Sequence, residues 1–327
     1  MSSSVTTDPA VASDLSSPGR LRADGPLADS SASERPPGEP RRVGYLYALP
    51  ALLFFGLFVL APLGHAAWLS LFEWDGLTDK EWVGLDNYAD VVSDPELRRA
   101  FGHAAVLLIF YSALPICLGL LLAGVVARTR VRGLALFRTI LFLPQVIALV
   151  VVAAMWKMIY DPETGPLNRA LRSVGLDSLE QNWLGGFDIA LPSVGFIGTW
   201  VMYGLAMILF MAGVQKIPPS LYDAARVDGA GPLREFLAVT LPGLRGELAV
   251  ALTLTTIAAL RNFDIVYITT AGGPGTATTV PAFQVYQRVF EFPRVGSAAA
   301  VGICLLAVIF LLALLINRTA ERGTATR

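Results

Sequence analysis

The chain has 327 residues, 54% of them hydrophobic and only 16% charged, with a mean hydropathy of +0.57, so it carries too little polar surface to cover a soluble globule of that size. Lipid must cover part of it. A formal net charge of -1 excludes a strongly basic nucleic-acid binder, and Cys117 and Cys304, each inside an apolar run, support neither a disulfide framework nor a cysteine-based zinc site.

Residues 1–42 are rich in Ser, Pro, Asp, Gly and Arg and contain no aromatic side chain, which predicts a disordered tail. The tail has no apolar stretch of the signal-peptide kind, so the first hydrophobic run is expected to act as an uncleaved anchor. A bilayer core about 30 Å thick requires roughly 20 mostly apolar residues per spanning helix. Six segments meet that requirement: 44–71, 101–127, 134–159, 189–214, 242–270 and 297–316. Their length and continuity favour helices over the ten-residue alternation of a membrane barrel, giving an all-α membrane protein. The transmembrane domain is expected over 43–317, with a short tail at 318–327. Of the 25 Lys and Arg, sixteen fall on one side if both termini are cytoplasmic and eight on the other, with Arg261 inside a span. That bias predicts cytoplasmic N- and C-termini. The first external loop is acidic, with eight Asp or Glu from Glu73 to Glu96. Trp74, Trp82 and Trp156 suit either the headgroup level or internal packing.

Between the fourth and fifth spans lies Lys216 to Leu244, KIPPSLYDAARVDGAGPLREFLAVTLPGL. Pro218 and Pro219 interrupt the preceding helix, and Ser220 with Asp223 has capping-box-like spacing. Gly229 permits a left-handed helix end, and Gly231 with Pro232 forces a second break. Two short helices joined by a tight bend are expected, with Pro242 in the first turn of the fifth span. Further on, Arg261, Asn262 and Asp264 form a costly polar cluster within the fifth span. Arg261 and Asp264 stand at i, i+3 spacing, which suits an ion pair, whereas the Asn262 amide can both donate to and accept from a hydroxyl.

The loop resembles the EAA motif of binding-protein-dependent ABC importer permeases: Glu-Ala-Ala, three residues, Gly, nine residues, Ile, one residue, Leu-Pro. Here the positions read Asp223, Ala224, Ala225, Gly229, Val239, Leu241 and Pro242, with every spacing kept and Asp and Val as conservative replacements. WVGLDNY (82–88) and FDIVYITTAGGPGTATT (263–279) are similar to the carbohydrate branch typified by maltose-type permeases, and the Gly-Gly-Pro element points to the first of two permease subunits. The resemblance implies an importer permease fold that moves a carbohydrate by alternating access. It also implies that Asp223, Ala224, Ala225, Asp228, Gly229, Ala230, Leu241 and Pro242 form the coupling element on a cytoplasmic ATPase. Counting from the motifs, it places Asn262, Ala258, Thr255, Met202, Val201 and Leu205 along the substrate path. Tyr203 and Trp200 are nearby aromatics suited either to a sugar ring or to core packing.

The implied partners are a homologous second permease, two cytoplasmic ATPase subunits, an extracytoplasmic sugar-binding protein and membrane lipid, in the inner membrane and without nucleic acid. None of the three lysines follows a glycine, so no Walker-type phosphate loop can be written. ATP is therefore expected to act on the ATPase partner, and this chain is expected to hold no cofactor. His65 and His103 have no carboxylate cluster at ligand spacing, and no nucleophile and base constellation stands out, which argues against a metal site and against an enzyme. A gradient-driven secondary transporter is the alternative reading; it would work as a lone chain.

Overall fold

The computed structural model describes residues 41–128 and 133–322; the tail expected at 1–42 lies almost entirely outside the described residues. The chain divides into two compact units, one ending at Phe55 and one beginning at Gly56. In the first, helix α1 (Arg41–Phe55) exposes Tyr47, Leu52, Phe54 and Phe55, as a lipid-facing helix would.

The second unit begins with a π-turn (Gly56–Leu60) and α2 (Ala61–Leu69), followed by a small antiparallel hairpin of β1 (Phe72–Glu73) and β2 (Glu81–Trp82), with Phe72 opposite Trp82. Next come α3 (Asp86–Ser93), α4 (Pro95–Leu108), a π-turn (Ile109–Ala113) and α5 (Leu114–Arg128). Helices α6 (Leu134–Val146) and α7 (Leu149–Ile159) precede a loop segment containing α8 (Pro166–Ser173). The long α9 (Ala190–Val214) leads to α10 (Pro219–Val227), α11 (Pro232–Glu235) and α12 (Leu241–Gly243). The chain ends with α13 (Arg245–Leu260), α14 (Asp264–Thr269), α15 (Pro281–Phe290) and α16 (Val295–Arg322).

Among the described residues, five helical stretches are long and apolar enough to cross a membrane: Tyr47–Leu69, Pro95–Val125, Ala190–Val214, Arg245–Thr269 and Val295–Glu321. The third expected span is instead a bent pair, α6 and α7, with axes 95° apart. One turn after Pro144, Ile147 and Ala148 become extended (ψ 137° and 132°) and the helical ladder stops. The last helix runs on to Arg322, through part of the segment expected to be a tail.

Helix α9 is apolar on every face, and it is the buried axis of the second unit. Leu107, Val152, Val194, Ile197, Val201, Ile265 and Phe283 form the principal core with it. Trp156 belongs to that core rather than to an interface, whereas Trp82 is exposed. Small residues let α9 approach its neighbours: a Cβ on Gly119 of α5 would lie 2.8 Å from Ala206 Cβ.

At the end of the unit that carries the hairpin, a polar network ties distant segments together. Buried Arg288 donates from Nη2 to Asp94 Oδ2 (2.7 Å) and from Nη1 to Ser297 Oγ (2.6 Å). Gln284 Nε2 donates to Glu96 Oε1 (2.9 Å), His103 Nδ1 to the Thr279 carbonyl (2.8 Å), and Asn87 Nδ2 to the carbonyls of Ser70 and Phe72. In the adjoining loops, hydrogen bonds from the Thr78 and Leu77 amides to Asp75, and from the Thr164 amide and hydroxyl to Asp161, hold both carboxyls below the usual carboxylate range.

Asp94 also caps α4 by accepting from the Glu96 amide at 2.8 Å. Asp94→Ala should therefore remove a cap and leave a buried guanidinium without its anion, a loss of about 3 kcal/mol. The melting midpoint of the purified protein should fall clearly, and Asp94→Asn, which restores the cap alone, should recover only part of it.

Candidate substrate cavity and coupling loop

The fifth span is broken in its second half. Arg261 caps α13 (φ -89°, ψ 9°), Asn262 and Phe263 are non-helical, and α14 restarts at Asp264. The break changes what the polar cluster can do. The i, i+3 geometry expected for Arg261 and Asp264 requires a continuous helix, and among the described residues no ion pair joins them. Arg261 is exposed and Asp264 half-buried, while Asn262 is 6% exposed and its amide nitrogen has no hydrogen-bond partner.

A cavity of about 300 Å³ opens at this break. Asn262, Ala258, Met202 and Val201 line it, as counted from the sequence motifs. Thr255 and Tyr203 do not line it, and neither does Leu205. The Thr255 hydroxyl is fully buried and donates to the Ala251 carbonyl of its own helix at 2.8 Å. Trp200 packs edge-on against Trp156, 5.7 Å between ring centroids, as part of the core shell.

The sequence reading missed Tyr111, which enters the cavity from the second span with a buried hydroxyl that also has no partner. Its one signal is Tyr-Ser in the middle of an otherwise apolar run. The π-turn at Ile109–Ala113 sets its direction: the Thr199 hydroxyl of α9 donates to the Phe110 carbonyl at 2.6 Å, and Gly198 lets the Tyr111 ring lie directly against α9.

The loop between the fourth and fifth spans is the expected helix pair. Helix α10 starts one residue before Ser220: Pro218 is extended (φ -57°, ψ 131°), Pro219 occupies the first turn, and Ser220 lies inside the helix rather than capping it. It ends in a Schellman motif, with the Gly229 amide donating to the Arg226 carbonyl (3.0 Å) and the Ala230 amide to the Ala225 carbonyl (2.9 Å). Gly229 has φ +74°, the left-handed value this motif requires. Arg226 bridges the bend, 3.3 Å from Asp223 Oδ1 and 3.5 Å from Glu235 Oε2. Asp223, Ala224, Asp228 and Gly229 are exposed, whereas Ala225, Ala230, Leu241 and Pro242 are half-buried. Pro242 sits in α12, and the spanning helix proper starts at Arg245. Leu221, Val227, Leu233 and Leu237 add exposed apolar surface to the same element. A larger cavity of about 500 Å³ lies between this loop and the ends of α5, α6 and α9.

Apolar spanning helices around a small cavity with a few polar groups at a helix break, with an exposed helix pair at one end, define a polytopic membrane permease. The chain belongs to the family described as binding-protein-dependent transport system inner membrane component, whose profile matches residues 115–325. It is thus the inner-membrane permease subunit of an ABC importer. It is 37% identical to the probable ABC transporter permease protein YurN of Bacillus subtilis, over 86% of this chain and 97% of that protein. It is 32% identical to the diacetylchitobiose uptake system permease protein NgcF of Streptomyces coelicolor, over 83% and 81%. A solved bacterial ABC transporter involved in import of the acidic polysaccharide alginate superposes with a TM-score of 0.71 at 25% identity, covering 86% of this chain and 96% of that one.

A methyl group on Gly198 would occupy the space of the Tyr111 ring. Gly198→Ala should cost about 1–3 kcal/mol of stability through overpacking, read as a lower melting midpoint. Gly102→Ala, where a Cβ meets nothing within 4 Å, serves as the control and should leave the midpoint unchanged or raise it.

Proposed function

We propose that this permease carries a carbohydrate handed to it by an extracytoplasmic binding protein, and that the Asn262 amide holds a sugar hydroxyl at the helix break. The observation that carries this reading is the unpartnered amide nitrogen of Asn262, buried mid-span beside a cavity. A polar group in that setting is costly unless a ligand or water completes its hydrogen bonds, and a sugar offers hydroxyls for the purpose. NgcF, a diacetylchitobiose uptake permease, and the alginate importer act on the same chemical class.

The same reading makes α10 and α11 the contact with two cytoplasmic ATPase subunits, through Asp223, Ala224, Ala225, Asp228, Gly229 and Ala230, with Leu241 and Pro242 holding the loop to the fifth span. A homologous second permease completes the path. Both termini lie in the cytoplasm, on the side favoured by Lys and Arg. ATP is hydrolysed on the partner subunits, and this chain performs no chemistry on its cargo. A gradient-driven transporter would need no such loop, so membership of this family argues against that alternative.

Two variants separate cargo binding from drive in the reconstituted four-subunit complex. Asn262→Ala should lower sugar uptake about three- to tenfold, the range for one lost hydrogen bond, with expression and assembly intact. Equal uptake by variant and wild type would remove Asn262 from the path. Ala225→Asp should reduce both uptake and cargo-stimulated ATP hydrolysis to background while the subunit still inserts; normal uptake by that variant would refute the assignment of the loop.

A further inference from the structure

The residues assigned to cargo so far lie on the fourth and fifth spans. We propose that Tyr111, on the second span, is a further recognition residue, and that its hydroxyl and the Asn262 amide form a two-donor clamp on a sugar hydroxyl or ring oxygen. This inference rests on the carbohydrate reading and adds to it a residue and a hydrogen-bonding polarity.

The ring and the hydroxyl of Tyr111 have different explanations. The ring belongs to the principal core, packed with Leu107, Val194, Ile197 and Val201, and a phenylalanine would serve that packing equally well. The hydroxyl has no such explanation. Tyr111 is 3% exposed, its oxygen makes no hydrogen bond, and the residue lines the cavity that Asn262 also lines. Ser112, Ser193 and Trp156 also bury polar atoms without a partner, but among the described residues with such an atom it is Tyr111 and Asn262 that line the 300 Å³ cavity, and they do so from different helices. Water fits a cavity of that size between transport cycles, and a ligand oxygen can replace it.

The local backbone is built to hold this hydroxyl in place. A π-turn widens the second span by one residue at Ile109–Ala113, and such turns break the register of side chains along a helix. The carbonyl of Phe110 is caught by the Thr199 hydroxyl, and the rings of Phe110 and Tyr111 fill the spaces left by Gly195 and Gly198 on α9. The tyrosine ring is therefore clamped on the glycine face of α9, at the cavity that Asn262 also lines. Both clamp groups can donate, so the complementary cargo atom is an acceptor.

The test uses the complete importer with its binding protein, in proteoliposomes, and three radiolabelled probes: maltose, cellobiose and diacetylchitobiose, with monodeoxy analogues of whichever the wild type takes up. Tyr111→Phe keeps the ring and removes the oxygen. It should lower uptake of the parent sugar about three- to tenfold and abolish the discrimination that the wild type shows against one deoxy analogue. Because the hydroxyl has no protein partner, the melting midpoint of the cargo-free variant should be unchanged or higher. Wild-type uptake and discrimination in the variant would overturn the proposal, and so would a lowered midpoint, which would mean that the hydroxyl serves the fold. If the wild type takes up none of the three probes, the carbohydrate reading falls, and the sugar clamp with it.

Discussion

A buried polar group surrounded by hydrocarbon must find a partner inside the protein, and this requirement organises the molecule. Its backbone answer is visible in every spanning helix. Its side-chain answer differs from one end of the bundle to the middle. At the hairpin end, Arg288 is closed by Asp94 and Ser297, Gln284 by Glu96, and His103 by the Thr279 carbonyl. Deeper in the bundle, Asn262 and Tyr111 are left unpartnered beside the break between α13 and α14. The contrast sets a region that holds segments together apart from the region we propose for cargo.

Such a contrast cannot be read from residue types alone. Arg288 and Arg261 look alike in the sequence, yet one is locked in a network and the other is exposed beside a cavity. The difference comes from two or three non-helical residues after Leu260, which remove the i, i+3 spacing that would have paired Arg261 with Asp264. Spans were legible because hydropathy is a sum over 20 residues, and the loop was legible because Asp223, Gly229 and Pro242 stand at fixed intervals. Breaks were not, since Ile147 and Ala148 have ordinary helix-compatible side chains and lose the helix only one turn after Pro144. Tyr111 was missed for the same reason: a π-turn shifts the register of a helix without any glycine or proline to announce it. Ser220 looked like a cap by spacing, but two prolines had already fixed where α10 begins.

The geometry also connects the loop to the cavity through specific contacts. The Schellman end at Gly229 and the two-way bridge from Arg226 make the bend a fixed angle between α10 and α11. Where the loop meets the spans, Lys216 pairs with Glu247 at 2.9 Å, joining the end of the fourth span to the start of the fifth. Leu244, fully buried, packs into the space left by Gly213 near the end of α9. The two ends of the loop are therefore fastened to each other, where α9 ends and α13 begins.

Those two helices carry the cavity on their opposite halves: Val201 and Met202 from α9, Ala258 and the break at Asn262 from α13. A continuous fifth span would transmit axial movement past the cavity without changing its shape. A span interrupted at Arg261–Phe263 has a joint there instead, with α14 packed against α7 and the core while α13 is held to the loop. The unpartnered amide of Asn262 sits at that joint. On the proposed reading, the helix break combines what a regular helix could not: a buried polar side chain without an internal partner, and a joint in the same span that begins at the loop.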